Sequence, residues 1–327
     1  MPAPATPAII NTVINILIFP SIIIIFIGVY YSVNNVMTKQ VLPPLRDKPY
    51  GGAWSIYDNE SVNFLNSTKV EKGNRSDFIR DYRNWFSANK YLKGLDSYSY
   101  IDFSAGTTEA FGQFYLRHLD KRLRLLKGEY FYHWLMARNY FASSAELGTE
   151  PLSKGDVVVM SCPFSGTGNL PPNFYDTLSH CEKLDIPVML DLAYINISCI
   201  NDIDLDFKCI KEITTSLSKV FPVENHRIGI RLRRDFYDDS LYAYNENNYV
   251  NLYSVNIGHK LIEKFSNNWL YNKYETTQIQ TCDNLGVKKS DCVIFGLAEK
   301  GNYDEYHRGG EFNRLCFSRT WDGRLNE

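Results

Sequence analysis

Residues 214–229, TTSLSKVFPVENHRIG, decide how the chain is read. The single lysine of this stretch, Lys219, follows Ser216 and Ser218 and precedes Arg227. Upstream, the apolar run Ile186-Pro-Val-Met-Leu190 has the length and character of a buried strand and ends at Asp191-Leu-Ala-Tyr194. A lysine amine forms a Schiff base with a carbonyl compound, and hydroxyls beside a guanidinium suit a phosphate. A lone lysine is more commonly a surface residue. Arg227 shifts the reading, because a guanidinium offers phosphate bidentate bonds that lysine cannot reproduce.

The three pieces D-x-A-Y, S-x-S-K and R-x-G, in this order, resemble the fold-type-I pyridoxal-phosphate enzymes, specifically the class I/II aminotransferase family. The resemblance implies that Lys219 carries the cofactor as a Schiff base and that Ser216, Ser218 and Arg227 cup its phosphate. It also implies that Asp191 keeps the pyridine nitrogen protonated while Tyr194 bonds the phenolic oxygen. An aspartate at a strand end is also a common turn residue, which is the plainer reading of Asp191.

Upstream, Tyr100-Ile-Asp-Phe-Ser104 predicts a strand, and Ala105 onward predicts a helix reaching about Leu126. Small residues at that turn expose backbone N–H groups at a helix N-terminus, where an anion is stabilised. By resemblance, Gly106, Thr107 and Thr108 form the first phosphate loop; ordinary capping by Thr107 is the alternative. Residues 129–134, EYFYHW, are expected as a strand and loop bearing the ring that stacks on the cofactor. Trp134 is the first choice, then Tyr132, with His133 also in the window. A buried strand is expected over residues 155–160, followed by SCPFSGTG, where related enzymes have N-P-x-N-P-T-G. Cys162 and Ser165 occupy the two asparagine positions. Ser165 can donate to the phenolic oxygen, but with a shorter reach and a freer rotor than an amide.

An amphipathic helix is expected over residues 173–184, and alternating strands and helices from Tyr100 to Gly229 argue for a mainly parallel α/β sheet with helices on both faces. Residues 232–327 would form a small, shortened α+β C-terminal domain with a helix over about 256–274 and a strand at 292–297. The strand at 312–318 resembles the family's terminal strand, which implies that Arg314 holds the substrate carboxylate; an edge-strand arginine facing water is the alternative. Before the large domain, residues 37–99 contain a helix expected at 77–90. By resemblance, Pro49-Tyr50-Gly51-Gly52 is the candidate for the N-terminal segment that crosses to a dimer partner and helps close its site. The alternating Asp202, Asp204 and Asp206 lack the glycine and terminal glutamate of a calcium loop and suit a solvated turn.

Residues 9–33 carry no charge and are long enough for a membrane-crossing helix. Lys39, Arg46 and Lys48 follow, which would leave the body cytoplasmic. A start at Met37 is the alternative. With a net charge of −2 the chain has no electrostatic footprint for nucleic acid, and its seven scattered cysteines suit neither a disulfide framework nor a metal site. The expectation is an aminotransferase acting on an amino acid and a 2-oxo acid, as a homodimer by resemblance. A lyase or decarboxylase of the same fold, or a catalytically decayed scaffold, are the alternatives.

Overall fold

Residues 11–19, 22–30, 45 and 47–324 are described by the structure, a computed structural model. They belong to two compact units, Met1–Gln40 and Val41–Glu327. In the first, Asn11–Phe19 and Ile22–Tyr30 are antiparallel strands, with Asn11 opposite Tyr30 and Phe19 opposite Ile22. The expected helix over residues 9–33 is therefore corrected, and among the described residues no helix is long and apolar enough to cross a membrane. The run is rich in isoleucine, whose branched Cβ is stiff in a helix and suits a strand. Met37, Lys39, Pro43, Pro44 and Arg46 lie outside the described residues.

The second unit is built on a seven-stranded sheet. Its strands are β1 (Tyr100–Ser104), β2 (Arg122–Leu125), β3 (Ser143–Glu146), β4 (Asp156–Ser161), β5 (Val188–Asp191), β6 (Ile210–Ser216) and β7 (Gly229–Arg233). They lie in the order β1-β7-β6-β5-β4-β2-β3, parallel except that β7 runs antiparallel to both neighbours. Side chains alternate across it: Val158, Met160, Val188 and Leu190 enter one apolar cluster, while Val157, Val159 and Met189 enter another. Both faces are thus buried, as a parallel sheet requires. The first cluster packs under α2 (Arg75–Ser87), α5 (Phe174–Leu184) and α7 (Leu252–Lys264); the second packs under α3 (Thr107–Leu116) and α4 (Phe131–Tyr140). A three-stranded antiparallel sheet, Lys288–Lys289, Phe295–Ala298 and Asn313–Cys316, forms a smaller C-terminal layer.

Three expectations are corrected. The helix after Gly106 stops at Leu116, and Arg122–Leu125 is a strand whose Leu123 and Leu125 are buried while Arg124 pairs with Asp156 at 2.7 Å. Residues 131–140 are helical, because packing against α3 overrides the strand preference of aromatics. The expected helix at 256–274 divides into Leu252–Lys264 and Trp269–Leu285, where Ser266-Asn267-Asn268 supplies turn chemistry.

The inner arginines of β7 require counter-charges. Fully buried Arg231 donates to Asp102 Oδ2 through Nε and Nη2 at 2.9 and 2.8 Å, and to Asp239 through Nη1 at 2.6 Å. Arg233 shares the same Asp102 oxygen at 3.1 Å. Breaking a buried ion pair by removing one partner costs about 3–5 kcal/mol. Asp102→Ala is expected to lower unfolding free energy by that amount, read from urea midpoints; a loss below about 1 kcal/mol would show that Asp239 alone balances both arginines.

Candidate active site

Strand register collects the site at one edge of the sheet. Ser161 lies beside Asp191, Asp191 beside Thr214, Ser216 beside Gly229, and Gly229 beside Ser104. These are the carboxyl ends of the parallel strands, where the loops open and ligands bind in α/β sheets. Gly106 follows β1 with φ of 72°, a left-handed value that favours glycine. A Cβ on Gly106 would also stand 2.6 Å from the Arg227 guanidinium, so the glycine makes room for that side chain over the start of α3. Arg227 donates to Thr108 Oγ1 at 3.4 Å, and Thr107 begins the same helix. The predicted phosphate group of Gly106, Thr107, Thr108 and Arg227 is thus brought together. Ser218 Oγ is buried without a hydrogen-bond partner, and Ser216 is buried at the end of β6.

Lys219 Nζ donates to the Ala53 carbonyl at 2.6 Å and stands 5.7 Å from the Tyr194 ring centroid. Withdrawal from water pushes its pKa down, opposed by the nearby carboxylates of Glu224 and Asp191. Glu224 is held by the backbone N–H of Ser55 at 3.2 Å and by the Ser55 hydroxyl, so the segment covering the lysine is tied at two points. The segment from Ala53 to Ser55 thus lies over Lys219 of the same chain.

Asp191 is buried, and its Oδ1 accepts the Ala193 N–H at 3.0 Å. Desolvation raises its pKa to about 7. Behind it, His133 is fully buried, held neutral with a pKa pushed to about 3, and its Nε2 lies 4.0 Å from Asp191 Oδ2. The Tyr115 hydroxyl and His133 Nδ1 share a hydrogen bond, while Nε2, on the Asp191 side, has no hydrogen-bond partner. His133 was named only for stacking, and Tyr115 was not singled out; the spacing between α3 and α4 that joins them is not visible in local sequence.

Trp134 packs with Tyr132 in the second core cluster, around Phe111, Phe114 and Tyr115. The partly exposed ring near the site is Tyr130, which meets His133 edge-on at 5.5 Å and interacts electrostatically with Tyr194. It precedes α4 and lies two residues before the triplet Tyr132, His133 and Trp134. Ser165 is positioned through its backbone: its N–H donates to Ser161 Oγ at 2.7 Å and its carbonyl accepts from Arg314. Arg314 is 2% exposed and lies 4.3 Å from the Phe295 ring centroid, which excludes a water-facing edge position. Arg308, absent from the sequence expectations, donates to the Gly51 carbonyl at 2.8 Å.

Because folded Asp191 keeps its proton to about 7 while an unfolded aspartate releases it near about 4, the native state holds the extra proton between those values. Its contribution falls as pH rises through that window, with a slope of at most about 1.4 kcal/mol per pH unit. Urea titrations of cofactor-free protein across roughly pH 5 to 7 should show this slope, and Asp191→Asn should lack it. Parallel curves would place the proton elsewhere.

No protein-family model matches the chain, nor does any curated protein compared with it. Solved structures do. A pyridoxal-phosphate-bound C–S lyase from Staphylococcus hominis aligns with a TM-score of 0.62 at 12% identity, over 84% of this chain and 90% of that one. An aminotransferase from Staphylococcus aureus gives 0.60 at 12% identity, over 90% and 94%. L-Threonine-O-3-phosphate decarboxylase from Porphyromonas gingivalis gives 0.55 at 16% identity, over 84% and 94%. The fold of this chain is that of the fold-type-I pyridoxal-phosphate enzymes.

Proposed function

We propose that the protein is a pyridoxal-phosphate-dependent enzyme that transfers an amino group between an amino acid and a 2-oxo acid. The observation that carries this reading is Lys219: a buried amine whose pKa desolvation pushes down, beside Tyr194 and in the field of Asp191. The residues present fit the cofactor. Ser218 Oγ is a buried hydroxyl awaiting a partner, and the Gly106 turn leaves the Arg227 guanidinium clear of any side chain there. Thr107, Thr108, Ser216, Ser218 and Arg227 would hold the phosphate, Asp191 the ring nitrogen, and Tyr194 with Ser165 the phenolic oxygen. In this reading Tyr130 takes the stacking place first given to Trp134.

When bound, pyridoxal phosphate supplies an aldehyde carbon for an amine and a ring that withdraws electrons from the substrate's alpha carbon. The chain's own residues do the rest. Lys219, poised to lose its proton, is a nucleophile first and then carries the proton to and from the alpha carbon. Burial raises the pKa of Asp191, so a protonated ring nitrogen would stabilise its carboxylate, which the Ala193 N–H orients at Oδ1. Arg314 orients the substrate carboxylate, and Phe295 packs on the guanidinium face. The homodimer implied by resemblance belongs to the same proposal.

The full chain mixed with pyridoxal phosphate should develop a visible band that borohydride fixes onto the peptide containing Lys219. Lys219→Ala should leave no fixed label and lower turnover on the order of 10³-fold, the scale of a lost general base. Amino donors that yield 2-oxo acids mark a transaminase; sulfide release from cysteine conjugates or loss of carbon dioxide marks a lyase or decarboxylase instead. Absence of a band in the wild type would overturn the proposal.

A further inference from the structure

Glu129 is 5% exposed and stands where the chain passes from β2 into α4. The buried acids Asp102, Asp156 and Glu212 rest on arginines. Glu129 is satisfied by neutral donors instead. Its Oε1 accepts the Tyr130 N–H at 2.8 Å and the Ser161 hydroxyl, and its Oε2 accepts the Ser161 N–H at 2.9 Å. Ser161 Oγ in turn accepts the Ser165 N–H at 2.7 Å. One carboxylate oxygen thus stands between the backbone of Tyr130 and the backbone of Ser165.

The turn and the loop that this relay joins lie directly on one another. Gly128 has φ of 85°, and a Cβ on Gly166 would stand 3.0 Å from the Gly128 carbonyl oxygen. Beyond the relay, the Ser165 carbonyl accepts from Arg314, and Ser161 pairs in register with Asp191. Three donors converge on the two oxygens of Glu129, and two of them are backbone N–H groups that cannot turn round. Ser161 Oγ already accepts from Ser165, and its proton goes to Glu129. The position therefore requires a group that only accepts, which a carboxylate is and an amide is not. A buried polar network with all its members satisfied fixes a single geometry.

We propose that Glu129 is a positioning residue of the reaction: through Tyr130 and through Ser161 and Ser165, it sets the stacking ring and the loop at the phenolic oxygen relative to one another. The inference rests on the proposed function, in which Tyr130 and Ser165 flank the cofactor.

Hydrogen exchange read by mass spectrometry on the full-length, cofactor-free protein tests the relay. Glu129→Gln keeps the shape but sets an NH2 group against a backbone N–H. It should speed exchange about tenfold or more, the scale of a lost hydrogen bond, at Tyr130 and at residues 161–166 together, while α7 exchanges as in the wild type. Ser161→Ala should speed residues 161–166 alone, and Glu129→Asp should recover part of the protection. In protein loaded with pyridoxal phosphate, the induced circular dichroism of the visible band reports how the cofactor is held. Glu129→Gln should change it by half or more, while borohydride still fixes the label on Lys219. Wild-type exchange at both segments in Glu129→Gln would overturn the proposal, as would a rise that α7 shares equally. If Glu129→Gln does not fold, Ser161→Ala decides: unchanged exchange at residues 161–166 would overturn it. A wild-type band whose dichroism both variants leave intact sinks the positioning role alone, whereas no band in the wild type sinks the cofactor reading.

Discussion

Burial of the central sheet on both faces is the constraint on which the rest of the unit depends. Strands such as Val157–Met160 and Val188–Leu190 send successive side chains into opposite apolar clusters, leaving no polar surface along their length. Chemistry is therefore confined to the strand ends. Register then brings them into two adjoining rows, Ser161 with Asp191 and Thr214, and Ser216 with Gly229 and Ser104. The antiparallel β7 belongs to this design. It returns the chain so that Arg227, in the loop before it, reaches the turn after β1, and its cost is two inner arginines that Asp102 and Asp239 must balance.

Electrostatics divides the molecule in two. Arg117, Arg124, Arg231 and Arg233 each have a carboxylate within hydrogen-bond distance. At the candidate site, Lys219, Arg308 and Arg314 donate instead to backbone carbonyls. A carbonyl dipole satisfies a donor without neutralising its charge, so these cations keep their affinity for an incoming anion. The buried acids follow a complementary logic. Asp191 and Glu129 are both raised by desolvation, and Glu129 is satisfied locally by Ser161 and by the Tyr130 N–H at 2.8 Å. Asp191 is left with an oxygen facing only the distant His133 Nε2.

The strands at Tyr100–Ser104, Asp156–Ser161 and Val188–Asp191 and the lysine segment were legible because apolar runs and short motifs are local signals, whereas the short strands Arg122–Leu125 and Ser143–Glu146 carry no such run. Helix ends were less so: Leu116 and Lys264 end their helices where turn residues and packing prevail over continuing periodicity. The hairpin at residues 11–30 shows the same ambiguity, since a long apolar run carries no period to separate helix from strand. Tyr130 lies two residues before the Tyr132–Trp134 window, and on the helix of residues 131–140 Trp134 is partly buried against the second cluster. Arg308 had no motif to mark it, and its bond to the Gly51 carbonyl is a property of the folded neighbourhood alone.

The strap from Gly51 to Ser55 carries a consequence of its own. At one end, Gly51 and Ala53 are fastened by Arg308 and Lys219; at the other, Ser55 is fastened by Glu224, and its carbonyl also accepts from Arg324 at 3.0 Å. A carbonyl compound that takes over the Lys219 amine removes donors available to the Ala53 carbonyl and alters the charge that Glu224 faces. The state of that one amine therefore bears on both ties of the segment, on Ala53 directly and on Ser55 through Glu224.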